Sequence, residues 1–244
     1  MTAATTTGVA LGIYEKALVQ TENWDGFFKQ VADAGFSFTD LSVDESDLRR
    51  ARLGWTLAER QAVRLAADRA GVRIGGICLS LHRAVMPGSA DPAVRAQARA
   101  VYRDGIQLAA ELGAKLVQVA GYYAHYEAPD PGARARYIDT LEWAVPLAAR
   151  EGVMLGIENV DGCDIASIPD LMEIVNEIRS PWVQAYPDIG NIAEHRGDTQ
   201  AELRAGQGHM VALHVKDVFP GRPRRVPFGE GVADFDAAFT ELAR

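Results

Sequence analysis

An α/β barrel of repeated strand–helix units is the fold this sequence predicts, and three observations predict it. A short apolar run, a polar loop and a helical stretch with Ala, Leu and Arg at helical spacing follow one another repeatedly along the chain. The length of 244 residues is close to the ~250 that such a barrel commonly needs. Chemically useful polar residues stand at the ends of many of the apolar runs, as they do around a barrel mouth. In an open sheet they would gather near one switch point. No G-x-G-x-x-G follows the first run, so a dinucleotide-binding open sheet has no support.

The apolar runs, read in order as strands, are "GVALGIY" (8–14), "FSFTDLSV" (36–43), "VRIGGICLS" (72–80), "AKLVQVAGY" (114–122), "VMLGIENV" (153–160), "WVQAYPDIG" (182–190) and "MVALHVKD" (210–217). Near-continuous apolar runs of this kind suit parallel strands buried on both faces. The intervening stretches read as helices. "WDGFFKQVADAG" ends on Gly35, and the next three helices end on Gly71, Gly113 and Gly152, the residue that best tolerates a left-handed C-terminal cap. Thr56, Asp91, Ser167 and Asp198 stand where N-caps are needed. "FPGRPRRVPFGEG" (219–231) reads as a long loop after the seventh strand. "GEGVADFDAAFTELAR" (229–244) then opens a helix capped by Asp234, with Phe235, Phe239 and Leu242 at helical spacing. No linker or low-complexity tract interrupts the pattern, so residues 1–244 are expected to form one domain.

Composition narrows the function. Hydrophobic residues make up 48% and charged residues 24%, a globular balance. The net charge of −8 argues against broad nucleic-acid binding, which needs a basic face. It leaves room for a phosphorylated metabolite, since a few local cations hold one phosphate. Cys78 and Cys163 form no CxxC pattern and are too few for a disulfide scaffold. With no basic, apolar leader at the N-terminus and no run near the ~18 apolar residues of a membrane span, the expected location is the cytoplasm, without membrane partners.

Three strand ends carry potential metal ligands: Glu158 in "GIENVD", Asp188 in "YPDIGN" and His214 in "LHVKD". They lie about one strand–helix unit apart, so a barrel would bring them together at its mouth. Two carboxylates and an imidazole suit Mn, Co, Mg or Zn. Each has a plain structural alternative: Asp188 as a helix cap, the histidine as a core residue. A second set comprises Glu15 and Lys16, then Ser80, His82 and Arg83, then Gln118, Tyr122 and Tyr123. Together these suggest a polar pocket for a sugar-sized ligand, although Glu15 also suits a surface turn and His82 an exposed loop. Lys16, Arg83, Lys216 and Arg225 are candidates for holding a phosphate, while Arg222 and Arg224 read as a solvated basic loop.

The motifs "GIYEKAL", "LSVDESD", "CLSLHR", "QVAGYY", "YPDIGN", "HVKD" and "VPFGEG", in this order, resemble the L-ribulose-5-phosphate (L-xylulose-5-phosphate) 3-epimerase family of xylose-isomerase-like TIM barrels. The resemblance implies a (β/α)8 barrel and a small-molecule pentulose phosphate as substrate, with a homodimer as a candidate assembly. It implies a divalent metal held by Glu, Asp, His and a second Glu, the two glutamates acting as acid and base on opposite faces of the substrate. By match, Glu158, Asp188 and His214 are the first three. The family's second Glu lies on strand eight, after the helix that follows "VPFGEG". Glu230 sits in that motif's loop and is not its match. The eighth β/α unit is therefore expected to be missing from this chain, as in a C-terminally truncated member. An isomerase of an unphosphorylated ketose and a non-catalytic sugar-phosphate binding protein are the alternatives. A metal-dependent endonuclease on the same barrel is disfavoured by the acidic charge and by only five histidines.

Overall fold

The computed structural model describes residues 9–244. Six parallel strands pair in sequence order: β1 (Gly12–Tyr14), β2 (Phe38–Ser42), β3 (Arg73–Cys78), β4 (Leu116–Ala120), β5 (Met154–Glu158) and β6 (Val183–Ala185). Their order equals their chain order, as in a barrel wall laid down one unit at a time. Helices α1 (Trp24–Asp33), α2 (Asp47–Arg50), α3 (Leu57–Ala70), α4 (Pro92–Leu112), α5 (Ala133–Glu151) and α6 (Ile168–Ile178) alternate with them. After β6 come α7 (Ile189–Glu194) and α8 (Thr199–Ala205), and the chain ends in α9 (Phe235–Leu242).

The helix boundaries follow their capping chemistry. Thr56 and Glu59 form a reciprocal capping box at α3. Asp91, Ser167, Asp198 and Asp234 each accept a backbone N–H in the first turn of the helix that follows. Gly71, Gly113 and Gly152 close α3, α4 and α5 in the left-handed region, where a side chain would be strained. Gly35 lies one residue further out, because Ala34 is the C-cap of α1. The core lies between sheet and helices, where Phe28, Leu41, Ile77, Tyr102, Tyr137, Leu141 and Ile157 are fully enclosed.

Two expectations are corrected. Residues 210–217 do not form a full seventh strand. Met210 and His214 make isolated parallel bridges to Ala185 and Asp188. Asp217 instead begins β7 (Asp217–Phe219), which pairs antiparallel with β8 (Arg222–Val226) inside the segment expected to be a loop. The Pro220–Gly221 turn, with Gly221 at φ 78°, reverses the chain as a Pro-Gly turn can. The Asp217 carboxylate then accepts N–H groups from Gly229, Gly231 and Ala233, tying the arm's return to its start. Among the described residues, no eighth parallel strand occurs, and nothing pairs with the outer edge of β1.

Candidate metal centre

The three predicted ligands converge. Glu158 ends β5, Asp188 precedes α7, and His214 bridges to Asp188. One ligand atom from each lies within 4.8 Å of those of the other two. His214 Nδ1 is 2.5 Å from Glu158 Oε1 and 3.9 Å from Asp188 Oδ2. Lys216 Nζ lies 3.1 Å from Asp188 Oδ2 and donates to Asn191 Oδ1 at 2.6 Å. Gln118 Nε2 donates to Glu158 Oε2.

Asp188 fills its expected role as a helix cap and keeps one oxygen turned to the cluster. Its Oδ1 accepts the Asn191 N–H and caps α7, while Oδ2 faces Lys216 and His214. Two asparagines that the sequence reading passed over hold this corner. The Asp188 N–H donates to Asn159 Oδ1, Asn159 Nδ2 donates to the Asp188 carbonyl, and Asn191 Nδ2 donates to the Asn159 carbonyl. Their only signal was position: each stands within three residues of a ligand, in "IENVD" and "PDIGN".

Burial and charge oppose each other here. Burial pushes the Asp188 carboxyl up, to about 6, against the pull of Lys216. Burial also pushes Glu158 up, but the His214 and Lys216 charges outweigh it and hold the carboxyl below its usual value. Burial pushes His214 down, and the Glu158 and Asp188 carboxylates reverse that to about 9. Two enclosed carboxylates thus share one imidazolium and one ammonium. The donors present, two carboxylate oxygens and an imidazole nitrogen within a single ion's reach, fit a divalent cation.

The second set disperses. Glu15 is corrected from ligand-binding to structural: Arg52 donates to both its oxygens at 2.5 and 2.8 Å, with Arg49 at 3.0 Å and the Ser42 N–H at 2.6 Å. That leaves no free acceptor for a substrate. His82 is also corrected. It is 1% exposed, with Nε2 3.2 Å from the Ala98 carbonyl and its ring 4.2 Å from that of Tyr102, so it is neither a ligand-facing nor a loop residue. Lys16 pairs with Asp44 at 2.5 Å, and Arg83 lies 3.7 Å from Glu45. Arg225 is exposed on β8 at φ 60°, while Arg224 pairs with Asp161, which accepts from the Tyr122 hydroxyl. Of the polar-pocket and phosphate candidates, Gln118 and Lys216 touch the cluster.

Comparison with known proteins agrees with the architecture. The model of the xylose isomerase-like TIM barrel family matches residues 28–244. The L-ribulose-5-phosphate 3-epimerase UlaE of Salmonella paratyphi A is 43% identical over 234 residues, 96% of this chain and 82% of that protein. The UlaE of Salmonella schwarzengrund (strain CVM19633) matches to the same extent. Among solved structures, D-psicose 3-epimerase from Clostridium cellulolyticum H10 superposes with a TM-score of 0.80 at 18% identity, covering 95% of this chain and 80% of that one. An L-ribulose 3-epimerase gives 0.77 at 21% identity, covering 96% and 77%. These two show a shared fold. Among the described residues, no helix is long and apolar enough to cross a membrane. The chain belongs to the xylose isomerase-like TIM barrel family and, within it, to the L-ribulose-5-phosphate 3-epimerases.

Proposed function

We propose that this protein is a divalent-metal-dependent epimerase that interconverts L-xylulose 5-phosphate and L-ribulose 5-phosphate by proton transfer at carbon 3. The observation that carries the reading is the convergence of Glu158, Asp188 and His214 at one point, in a chain 43% identical to a protein named for this reaction. The proton on carbon 3 lies next to a ketone, so its removal leaves negative charge on the carbonyl oxygen. A divalent cation held by Glu158, Asp188 and His214 would supply positive charge opposite that oxygen. Mn, Co, Mg and Zn all suit the donor set.

Glu158 is the proposed base. Its carboxylate is held ionised by His214 and Lys216, and Gln118 fixes its second oxygen. Lys216 and Asn191 hold Asp188 so that Oδ2 stays turned to the cluster. Inversion requires proton delivery to the face opposite the one from which the proton left, so epimerisation needs a second acid beyond Glu158. Lys16, Arg83 and Arg225 remain the proposed contacts for the phosphate. The test is incubation with Mn²⁺ and L-xylulose 5-phosphate in heavy water, followed by proton NMR. The expected result is loss of the carbon 3 proton signal, abolished by Glu158→Gln. Retention of that signal in the wild-type protein would contradict the proposal. Free L-xylulose run in parallel reports whether the phosphate matters.

A further inference from the structure

Beneath the ligand cluster lies a buried acid that the proposed chemistry does not use. Asp40 is on β2, 8% exposed, and faces the barrel interior. Its carboxylate fits over β3 because Gly75 and Gly76 lack side chains. A Cβ at these positions would come within 2.7 and 3.3 Å of Oδ1. Asp40 Oδ2 accepts from the Tyr186 hydroxyl at 2.9 Å. Tyr186 lies just past β6, so this bond crosses the barrel between strands that are not neighbours in the sheet. The Tyr186 backbone N–H is tied to the Ile157 carbonyl, next to Glu158. Its ring lies against His214, with centroids 4.9 Å apart. On another side, the Tyr14 ring stands 6.0 Å from His214, and its hydroxyl donates to Ser42 Oγ. Strand β2 contributes no ligand, yet it fixes the hydroxyls of both rings beside the imidazole.

A buried carboxylate is costly unless its partners compensate, and Asp40 Oδ1 completes no hydrogen bond among the described residues. An apolar residue would fill this place at lower cost to stability. We infer that Asp40 is a positioning residue: through the Tyr186 hydroxyl it holds the tyrosine ring that sets the orientation of His214 at the ligand cluster. The inference rests on His214 being a metal ligand. Groups hydrogen-bonded to a ligand typically change metal affinity by roughly 10–100-fold when removed, and support through a ring contact is expected at the lower end of that range.

The test is calorimetric titration of the full chain with Mn²⁺, together with circular dichroism and the ring-nitrogen NMR signals of His214. Tyr186→Phe keeps the ring and removes the hydroxyl. Asp40→Leu keeps the approximate shape and removes the acceptor. Each is expected to weaken Mn²⁺ binding by ~10-fold or more and to shift the His214 ring signals in the metal-free protein. Asp40→Asn still offers an oxygen to the hydroxyl and is expected to recover part of the affinity lost in Asp40→Leu. A folded Tyr186→Phe or Asp40→Leu protein with His214 signals unmoved and Mn²⁺ affinity within ~3-fold of wild type would overturn the inference. His214→Gln separates the two levels: if it binds Mn²⁺ as wild type does, the ligand assignment fails first and the inference falls with it.

Discussion

Glu15 and Glu158 are both enclosed glutamates at the C-terminal ends of barrel strands, and they do opposite things. Glu15, after β1, is neutralised on every side by Arg52, Arg49 and the Ser42 N–H. Burial alone would raise its pKa, and the two arginines drive it below the usual value instead. Glu158, the last residue of β5, shares its cations with a second carboxylate, Asp188, inside one ion's reach. The histidines differ in the same way. His82 in the first half is an enclosed core residue, its Nε2 on the Ala98 carbonyl and its pKa pushed down by burial to about 4. His214 in the second half is pulled by carboxylates to about 9 against the same burial. Polarity at a strand end does not make a site. What distinguishes the second half is that two carboxylates and an imidazole crowd within one ion's reach and share their cations, a donor set that fits a divalent ion.

The comparison is broken most directly at Arg52. Arg52→Met leaves Glu15 buried with Arg49 as its remaining cation and is expected to cost ~3 kcal/mol of stability in urea unfolding, because a buried charge loses its main partner. Mn²⁺ affinity of the folded fraction is expected to stay at the wild-type value. A coupled loss of both would erase the distinction between the two halves.

Acid unfolding should expose the histidine contrast, with a smaller effect. The folded pKa of His82, about 4, lies below its ordinary 6.5, so the unfolded chain binds more protons between these values. Stability is then fully present above pH ~6.5 and falls as pH drops towards 4, by roughly 2–3 kcal/mol. Urea midpoints followed from pH 7 downward should show this slope in the wild type and not in His82→Gln. His214 has the opposite sign. Its folded pKa is raised, so in metal-free protein its contribution is present below pH ~6.5 and is lost as pH rises through about 9. His214→Gln should remove that alkaline slope.

The smallest effect belongs to Arg224, whose side chain is 59% exposed and pairs β8 with Asp161 in the loop after β5. Arg224→Ala is expected to change thermal stability by less than ~1 kcal/mol, as exposed ion pairs usually do. A larger loss would mean that the arm is cemented into the fold as firmly as Glu15 is.

Much of this was legible from residue order. Apolar runs between capped helices gave the six paired strands, and the N-caps at Thr56, Asp91, Ser167, Asp198 and Asp234 follow from side-chain chemistry acting within a few residues. The Glu158–Asp188–His214 convergence followed from barrel geometry alone. Longer-range partners were not legible. Nothing near Glu15 signals that Arg52 will reach back to it, and nothing beside His82 signals that Tyr102 will cover it. The β7–β8 arm was missed because Arg-rich sequence containing prolines lacks the apolar alternation that marks a strand. Its pairing comes from the Pro220–Gly221 turn and the grip of Asp217 on the returning backbone. Residues 210–217 read as a strand from their apolar content, but only Met210 and His214 bridge to the parallel side, and Asp217 pairs antiparallel in β7 instead.

The central claim is that Glu158, Asp188 and His214 form one metal site whose histidine is protonated when no metal is bound. Calorimetric titration with Mn²⁺ at pH 7.5, repeated in buffers of different ionisation enthalpy, measures affinity and proton release together. The account predicts one ion per chain, close to one proton released on binding, and loss of both signals in His214→Gln. Binding that releases no proton, or that survives the removal of His214, would contradict it.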